Sequence, residues 1–349
     1  MKINHQAIAQ KTKESINSIY KEIEAFGSFK YQYKQLKNFR KDLRKFYRQT
    51  FLNKIFSYKV TKISSGDNLD HHCIGYFAPL SFKRRSWGGD LRCAVEHIAY
   101  LSKALWQHKT RLIYVALPCK KTIYPELISS SFRQGATTAP QWRKMVLELL
   151  QKDVEVIDMF PHFMQNKNTN HLFDFEHFIS YEGAKLTAKV IADYLKETSF
   201  FETKTNSQFE LVEKLKNRSN RLYRVNFVFK DEKPYIPYNE NLSNICIFGN
   251  CNLQAFHKEG AGIVANLAYQ MNQEIDYIGR KLIFAATTEK FDKQAYEQCC
   301  KRDIAICISF PSGSFVRTSA KRNVSIVSVL KELLKNKSIY GKWSDINLS

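Results

Sequence analysis

The sequence lacks any apolar run approaching the roughly 20 consecutive residues that a membrane-spanning helix requires. Its opening stretch, MKINHQAIAQKTKESINSIY, holds no continuous apolar segment after the first lysine. A secretory signal and an anchor helix are therefore not expected; the chain reads as cytoplasmic, with any membrane contact peripheral to the inner face. The eight cysteines, Cys73, Cys93, Cys119, Cys246, Cys251, Cys299, Cys300 and Cys307, form no repeated Cys-x-x-Cys pair, so reduced thiols are expected and a structural zinc site is not. His71 and His72 stand together without a third ligand at useful spacing, and no metal is expected. Internal repeats and low-complexity tracts are absent. Acidic residues are in deficit, 33 against 54 Lys and Arg, leaving a formal charge of +21. That balance implies an anionic partner: nucleic acid, an acidic membrane face, a polyanionic glycan or a phosphate-bearing cofactor.

What is present is a globular chain of 349 residues with 44% hydrophobic content, long enough for a sizeable core. Residues 1–65 read as a basic helical extension, with amphipathic stretches KTKESINSIYKEIEAF and YKQLKNFRKDLRKFYRQTFLNKIF. In the second, Tyr33, Leu36, Phe39, Leu43, Phe46 and Tyr47 recur at helical spacing on one face, either packed on the main domain or docking on an acidic membrane or partner complex. Residues 66–349 alternate between strand and helix patterns, the sign of a parallel sheet covered on both faces. Continuous apolar runs such as RLIYVALP and DIAICISF predict buried strands. Helices are predicted at GDLRCAVEHIAYLSKALWQH, APQWRKMVLELLQKD, SYEGAKLTAKVIADYLKE, NLQAFHKEGAGIVANLAYQMN and KFDKQAYEQCCKR. A polar insert at about 200–242 breaks the rhythm, as a connector or as a lid or binding insert. The expected architecture is a three-layer α/β domain.

In such sheets ligands gather at the carboxyl ends of the strands. ICIFGNCNLQAF ends a strand in Gly249-Asn250-Cys251, with the cysteine expected to open a helix whose amino end favours a thiolate. HLFDFEHFISYEG offers Asp174, Glu176 and His177 just before another helix. A thiol nucleophile needs a base, and a histidine needs an acid to fix its tautomer.

The succession RLIYVALPCKKTIYPELI, VEVIDMFPHF, HLFDFEHFISYEGAKLTAKVIADYL and NICIFGNCNLQAF resembles alginate O-acetyltransferase-type SGNH hydrolase-like proteins, whose Gly-Asp-Ser turn bears the nucleophile. The resemblance implies a flavodoxin-like parallel sheet and places Cys251 on the nucleophile, Asn250 on the aspartate before it and His177 on the motif histidine. Asp174 then gives Asp-x-x-His, where the alginate type has Asp-x-His. Aligning on SYEG instead puts Phe178 and Glu176 on that pair and breaks the triad. Gly-Asn-Cys is similar to the turn of WcbI-type capsule-biosynthesis proteins, associated with coenzyme A. Gly279 and Ser309 end the next two strands, where oxyanion donors are sought beside Gly249 and Asn250.

The resemblance implies an O-acetyltransferase that uses acetyl-CoA as donor on a surface or capsular polysaccharide or its precursor, with peripheral membrane or a capsule synthesis complex as further partners. Transfer and hydrolysis are not separated by the residues, so an esterase or deacetylase stays open, as does a silent glycan-binding scaffold. Nucleic acid is set aside, because no recognition fold accompanies the basic stretch at 34–48.

Overall fold

The computed structural model describes residues 2–32, most of 34–45, 91–127, most of 129–168, 172–173, 179–201, 209–218, 221–238, 243–249, 251–279 and 293–309. The strand expected at 73–80 and the final helix expected at 325–337 lie outside the described residues.

The chain begins with β1 (Lys2–Ile3), α1 (His5–Phe26), α2 (Leu91–Trp106), β2 (Arg111–Ala116), α3 (Lys120–Ile123) and α4 (Pro140–Leu150). It continues through β3 (Glu155–Asp158), α5 (Met159–Asn166), α6 (Tyr181–Thr198), β4 (Ser199–Phe200), β5 (Glu210–Arg218), β6 (Arg221–Lys230) and β7 (Lys233–Pro234). Then come β8 (Ile245–Gly249), α7 (Ile263–Met271), β9 (Asp276–Gly279), α8 (Lys293–Cys299) and β10 (Ile304–Ser309).

The central sheet has five strands in the order β3-β2-β10-β8-β9, and every neighbouring pair is parallel. All residues of β2, β8 and β10 are buried, which is why their apolar runs are continuous rather than alternating. Register puts Tyr114, Val156, Phe248 and Cys307 on one face and Arg111, Glu155, Ile247 and Ile308 on the other. On the first face Asp158 meets Arg143 of α4, and Tyr296 of α8 donates to the Ala104 carbonyl of α2. On the second, Arg111 reaches Glu155 and Thr198 at the end of α6. Helices therefore cover both faces in three layers.

Local signals set the helix ends. Asn4 caps α1 by accepting from the Ala7 amide at 3.1 Å, Asp158 caps α5 and Ser180 caps α6. The first helix packs along β3, sends Ile19 into the main core and pairs Glu22 with the fully buried Arg143. Of the basic stretch that follows, Leu36 and Phe39 are buried, Phe39 lies 5.0 Å from the Phe132 ring, and Ser129 donates to Asp42. These positions pack on the domain, as the first of the two sequence readings expects.

The polar stretch at about 200–242 folds, where described, into an antiparallel sheet of β5, β6 and β7. Its register runs from Glu210 opposite Phe229 to Arg218 opposite Arg221. Val228 at its base is fully buried in the main core.

Candidate active site

Counted from β8, the next strand β9 lies on one side, while β10, β2 and β3 follow in turn on the other. This is the 2-1-3-4-5 order of doubly wound sheets, with the chain's starting point moved. In that order the crevice opens where the winding reverses, at the carboxyl ends between the first and third strands. Here those are β8 and β10, so Gly249 and Ser309 flank the crevice, with Gly279 at the end of β9 beyond.

Gly249 is required for a steric reason. A Cβ there would stand 2.2 Å from the Ile308 carbonyl oxygen across the strand pair, well inside contact distance and against backbone that has no room to give. Asn250 lies outside the described residues, as does the side chain of Cys251. The backbone at Cys251 corrects one expectation: it opens a four-residue 3-10 turn, Cys251–Gln254, and not an α-helix. A second 3-10 turn follows at His257–Glu259, and α7 begins only at Ile263. The cause is local. Phe256 and Gly260 both take left-handed backbone, at φ 58° and 71°, which interrupts any helical ladder between them. The aligned-dipole contribution expected for a thiolate at a long helix is therefore absent at this turn.

The segment carrying Asp174, Glu176 and His177 lies outside the described residues, but both of its ends are held. Phe173 and Ile179 form an antiparallel bridge, Ser180 donates its amide to the Leu172 carbonyl at 3.1 Å, and Gly183 admits that carbonyl where a Cβ would lie 2.2 Å away. The Ile179 amide then donates to Oδ1 of Asn252 at 2.9 Å. Asn252 is 2% exposed. The loop bearing His177 is thus bonded, two residues beyond it, to the residue immediately after Cys251.

A second contact reinforces the first. Tyr181, first residue of α6, stacks on Phe256 with centroids 3.7 Å apart and donates its hydroxyl to Glu259 at 2.9 Å. Nothing in the sequence pattern marks Asn252 or Phe256, because their partners lie 73 and 75 residues away; only the adjacency of an asparagine to the cysteine is visible there.

Around this core the other expected residues are placed as follows. Gly279 has φ 96° and open space where a Cβ would stand. Ser309 is buried, as is Tyr114 on the neighbouring strand, whose phenol ionisation is pushed up by complete burial. Beyond β2, Lys120 and Lys121 are buried at 3% and 4% exposure. Burial lowers the Lys121 ammonium to about 7, with Cys119 partly opposing it. His257, in the second 3-10 turn, has its pKa lowered by burial while the Pro237 carbonyl accepts from it, and its ring lies 4.3 Å from that of Tyr277. Among the described residues no cluster of three or more His, Cys, Asp or Glu is placed to hold a metal ion. None of their helices is long and apolar enough to cross a membrane.

Comparison with known proteins agrees with this arrangement. No curated protein sequence matches the chain. Among solved structures, the O-acetyltransferase domain of Pseudomonas putida AlgJ superposes with a TM-score of 0.52 at 11% identity, over 69% of this chain and 90% of that one. Bacillus cereus PatB1 with a sulfonyl adduct gives 0.47 at 14% identity, over 67% and 93%. Pseudomonas aeruginosa AlgX gives 0.46 at 16%, over 72% and 62%. The AlgJ likeness shows the fold. Residues 85–244 match the family model described as SGNH hydrolase-like domain, acetyltransferase AlgX. That span holds β2, β3, the 172–180 loop and the β5–β6 hairpin.

Proposed function

We propose that the chain is an O-acetyltransferase acting on a polysaccharide, with Cys251 as nucleophile, His177 as base and Asp174 orienting the histidine. The supporting observation is the bond from Ile179 to Asn252, which ties the loop carrying His177 to the turn carrying Cys251 at the sheet's switch point. The donor in this reading is acetyl-CoA. The Cys251 thiolate attacks the acetyl carbonyl; the tetrahedral oxyanion meets amides of the turn, and CoA leaves as its thiolate. His177 then takes the proton of an acceptor hydroxyl, whose oxygen attacks the acetyl-cysteine, and the Cys251 thiolate leaves. A cytoplasmic setting suits this donor and the free thiols at Cys119, Cys246, Cys299, Cys300 and Cys307. The acceptor is a capsular or surface polysaccharide, or its precursor, and the positive charge of the chain suits an acidic one.

Release of CoA from acetyl-CoA, with and without an acidic polysaccharide, tests the reading in the wild type and in Cys251→Ala and His177→Ala. Glycan-stimulated release that disappears in both variants is the expected result. Full activity in Cys251→Ala would remove the covalent step.

A further inference from the structure

The basic stretch after α1 presents a single stripe of lysines. Most of residues 29–45 are helical, and Ser28 starts this helix by accepting from the Tyr31 amide at 3.3 Å. Phe29, Gln32, Leu36 and Phe39 are buried on one side of it. Lys30, Lys34, Lys37, Lys41 and Lys45 are all exposed. At 3.6 residues per turn these lysines fall within an arc of about 80°, centred roughly opposite the buried side, and they span about 22 Å along the axis.

Burial of one side confines the exposed residues to the other, but it does not require them to be of one sign. Elsewhere on the surface lysines are matched by acids: Lys11 with Glu197 at 2.6 Å, Lys144 with Glu148 at 3.4 Å and Lys189 with Asp193 at 2.6 Å. The exposed side of α1 likewise mixes Lys13 and Lys21 with Glu14 and Glu24. Within four residues of any lysine of the stripe the sequence holds one acid, Asp42, and its carboxylate accepts from Ser129. Like charges one turn apart destabilise a helix, so a row of them kept on a ridge that is anchored from behind points to an anionic partner. The apolar side is already occupied, with Phe29 in the main core and Phe39 against Phe132. It is therefore not available to sink into lipid, and contact through the stripe is electrostatic.

We propose that this lysine stripe docks the protein on a bilayer surface that carries anionic phospholipid. Neighbouring lysines stand about 4.5–6 Å apart along the axis, inside the Debye length of about 8 Å at physiological salt. A flat anionic surface therefore meets them as one row. A single strand of nucleic acid is held instead by stacking of its bases on exposed rings. Phe29 and Phe39 face inward, and among the described aromatic side chains of this stretch Tyr31 is the exposed one. The docking goes beyond the acetyltransferase reading and does not depend on it.

Co-sedimentation of the full chain with phosphatidylcholine vesicles, with and without phosphatidylglycerol, at about 50 and 500 mM salt, tests it. Lys34→Gln with Lys41→Gln is compared with the charge-preserving Lys34→Arg with Lys41→Arg. A third variant, Lys13→Gln with Lys21→Gln, removes the same charge from the balanced side of α1, and circular dichroism checks the folding of each. A basic residue near an anionic surface is worth about fivefold in binding, so Lys34→Gln with Lys41→Gln should lose about 25-fold on phosphatidylglycerol vesicles at the lower salt. The arginine pair and the α1 pair are expected to keep wild-type affinity, the higher salt to release the wild type, and plain phosphatidylcholine to bind none of the proteins. Absence of wild-type binding to phosphatidylglycerol vesicles overturns the proposal. So does unchanged affinity in the Lys34 and Lys41 glutamine pair, or an equal loss in the α1 pair, which would assign the binding to overall charge. Tighter binding of DNA than of vesicles, lost in the same glutamine pair, overturns it as well and makes nucleic acid the partner.

Discussion

Replacing Asn252 by leucine keeps the branching of the side chain and removes the acceptor that holds the Ile179 amide. Asn252 is 2% exposed and Ile179 fully buried, so no water replaces the lost bond of 2.9 Å and the amide is left unsatisfied. Such a group costs about 1–3 kcal/mol, against roughly 1.4 kcal/mol for each tenfold change in an equilibrium. The docked loop conformation should therefore lose about five- to 150-fold in population relative to undocked ones. Amide hydrogen exchange at Ile179 reads this directly and should accelerate by that order in Asn252→Leu. In the proposed acetyltransferase reading CoA release should fall in parallel, in kcat rather than in KM, because that loop carries the proposed base. Asn252→Asp keeps an oxygen in the same place and should preserve protection at Ile179. A folded Asn252→Leu protein with unchanged exchange at Ile179 would refute the coupling of loop to turn.

Other perturbations have equally definite outcomes. Gly249→Ala places a methyl carbon 2.2 Å from the Ile308 oxygen, and urea unfolding should show a loss of about 2–4 kcal/mol, with a loss below 1 refuting the steric reading. Arg143→Met strands the carboxylates of Asp158 and Glu22, 4% and 15% exposed, and should cost about 3–5 kcal/mol by the same measurement. Lys121 has its folded pKa depressed to about 7, so above that pH the unfolded chain binds the extra proton and wild-type stability rises with pH until the unfolded lysine titrates near 10.5. Between pH 7 and 10 the slope should exceed that of Lys121→Met by up to about 1.4 kcal/mol per pH unit, and equal slopes would refute it. Cys299 is held protonated by its contact with the Cys246 thiol and by burial, burial does the same for Cys307, and Cys300 is pushed up to about 11; alkylation of the native protein at pH 7, followed by mass spectrometry, should leave these three unmodified.

The parts of the fold that the sequence discloses are those where one physical demand dominates. RLIYVA and IAICIS are buried on both faces, so their apolar runs admit no other reading. SYEG discloses its helix start because Ser180 caps a backbone amide three residues on. The stretch after Cys251 misleads because its apolar spacing looks helical, while the strained backbone at Phe256 and the turn at Gly260 depend on packing against Tyr181 and the hairpin. The hairpin itself is hidden because both of its sides find partial cover: Val228 faces the main core and Phe227 the loop at Phe256, which blurs the alternation a strand should show. In the site, the turn is legible as Gly-Asn-Cys, but the asparagine that joins it to the histidine loop is not. A side chain bonded to a backbone amide 73 residues away leaves no pattern along the chain.

The displaced starting point of the sheet also sets the order in which the protein can assemble. The strand at its centre, β10, is the last of the five to leave the ribosome, yet it alone joins β2 to β8. Until Ile304–Ser309 emerges, the β2–β3 pair and the β8–β9 pair each present a bare edge of unpaired backbone groups. Pairing of Ile304 with Arg111 spans 193 residues, a long loop to close. Synthesis of this chain therefore passes through a prolonged stage in which two half-sheets wait for one strand, and that stage, more than the finished protein, is where chaperones would be needed.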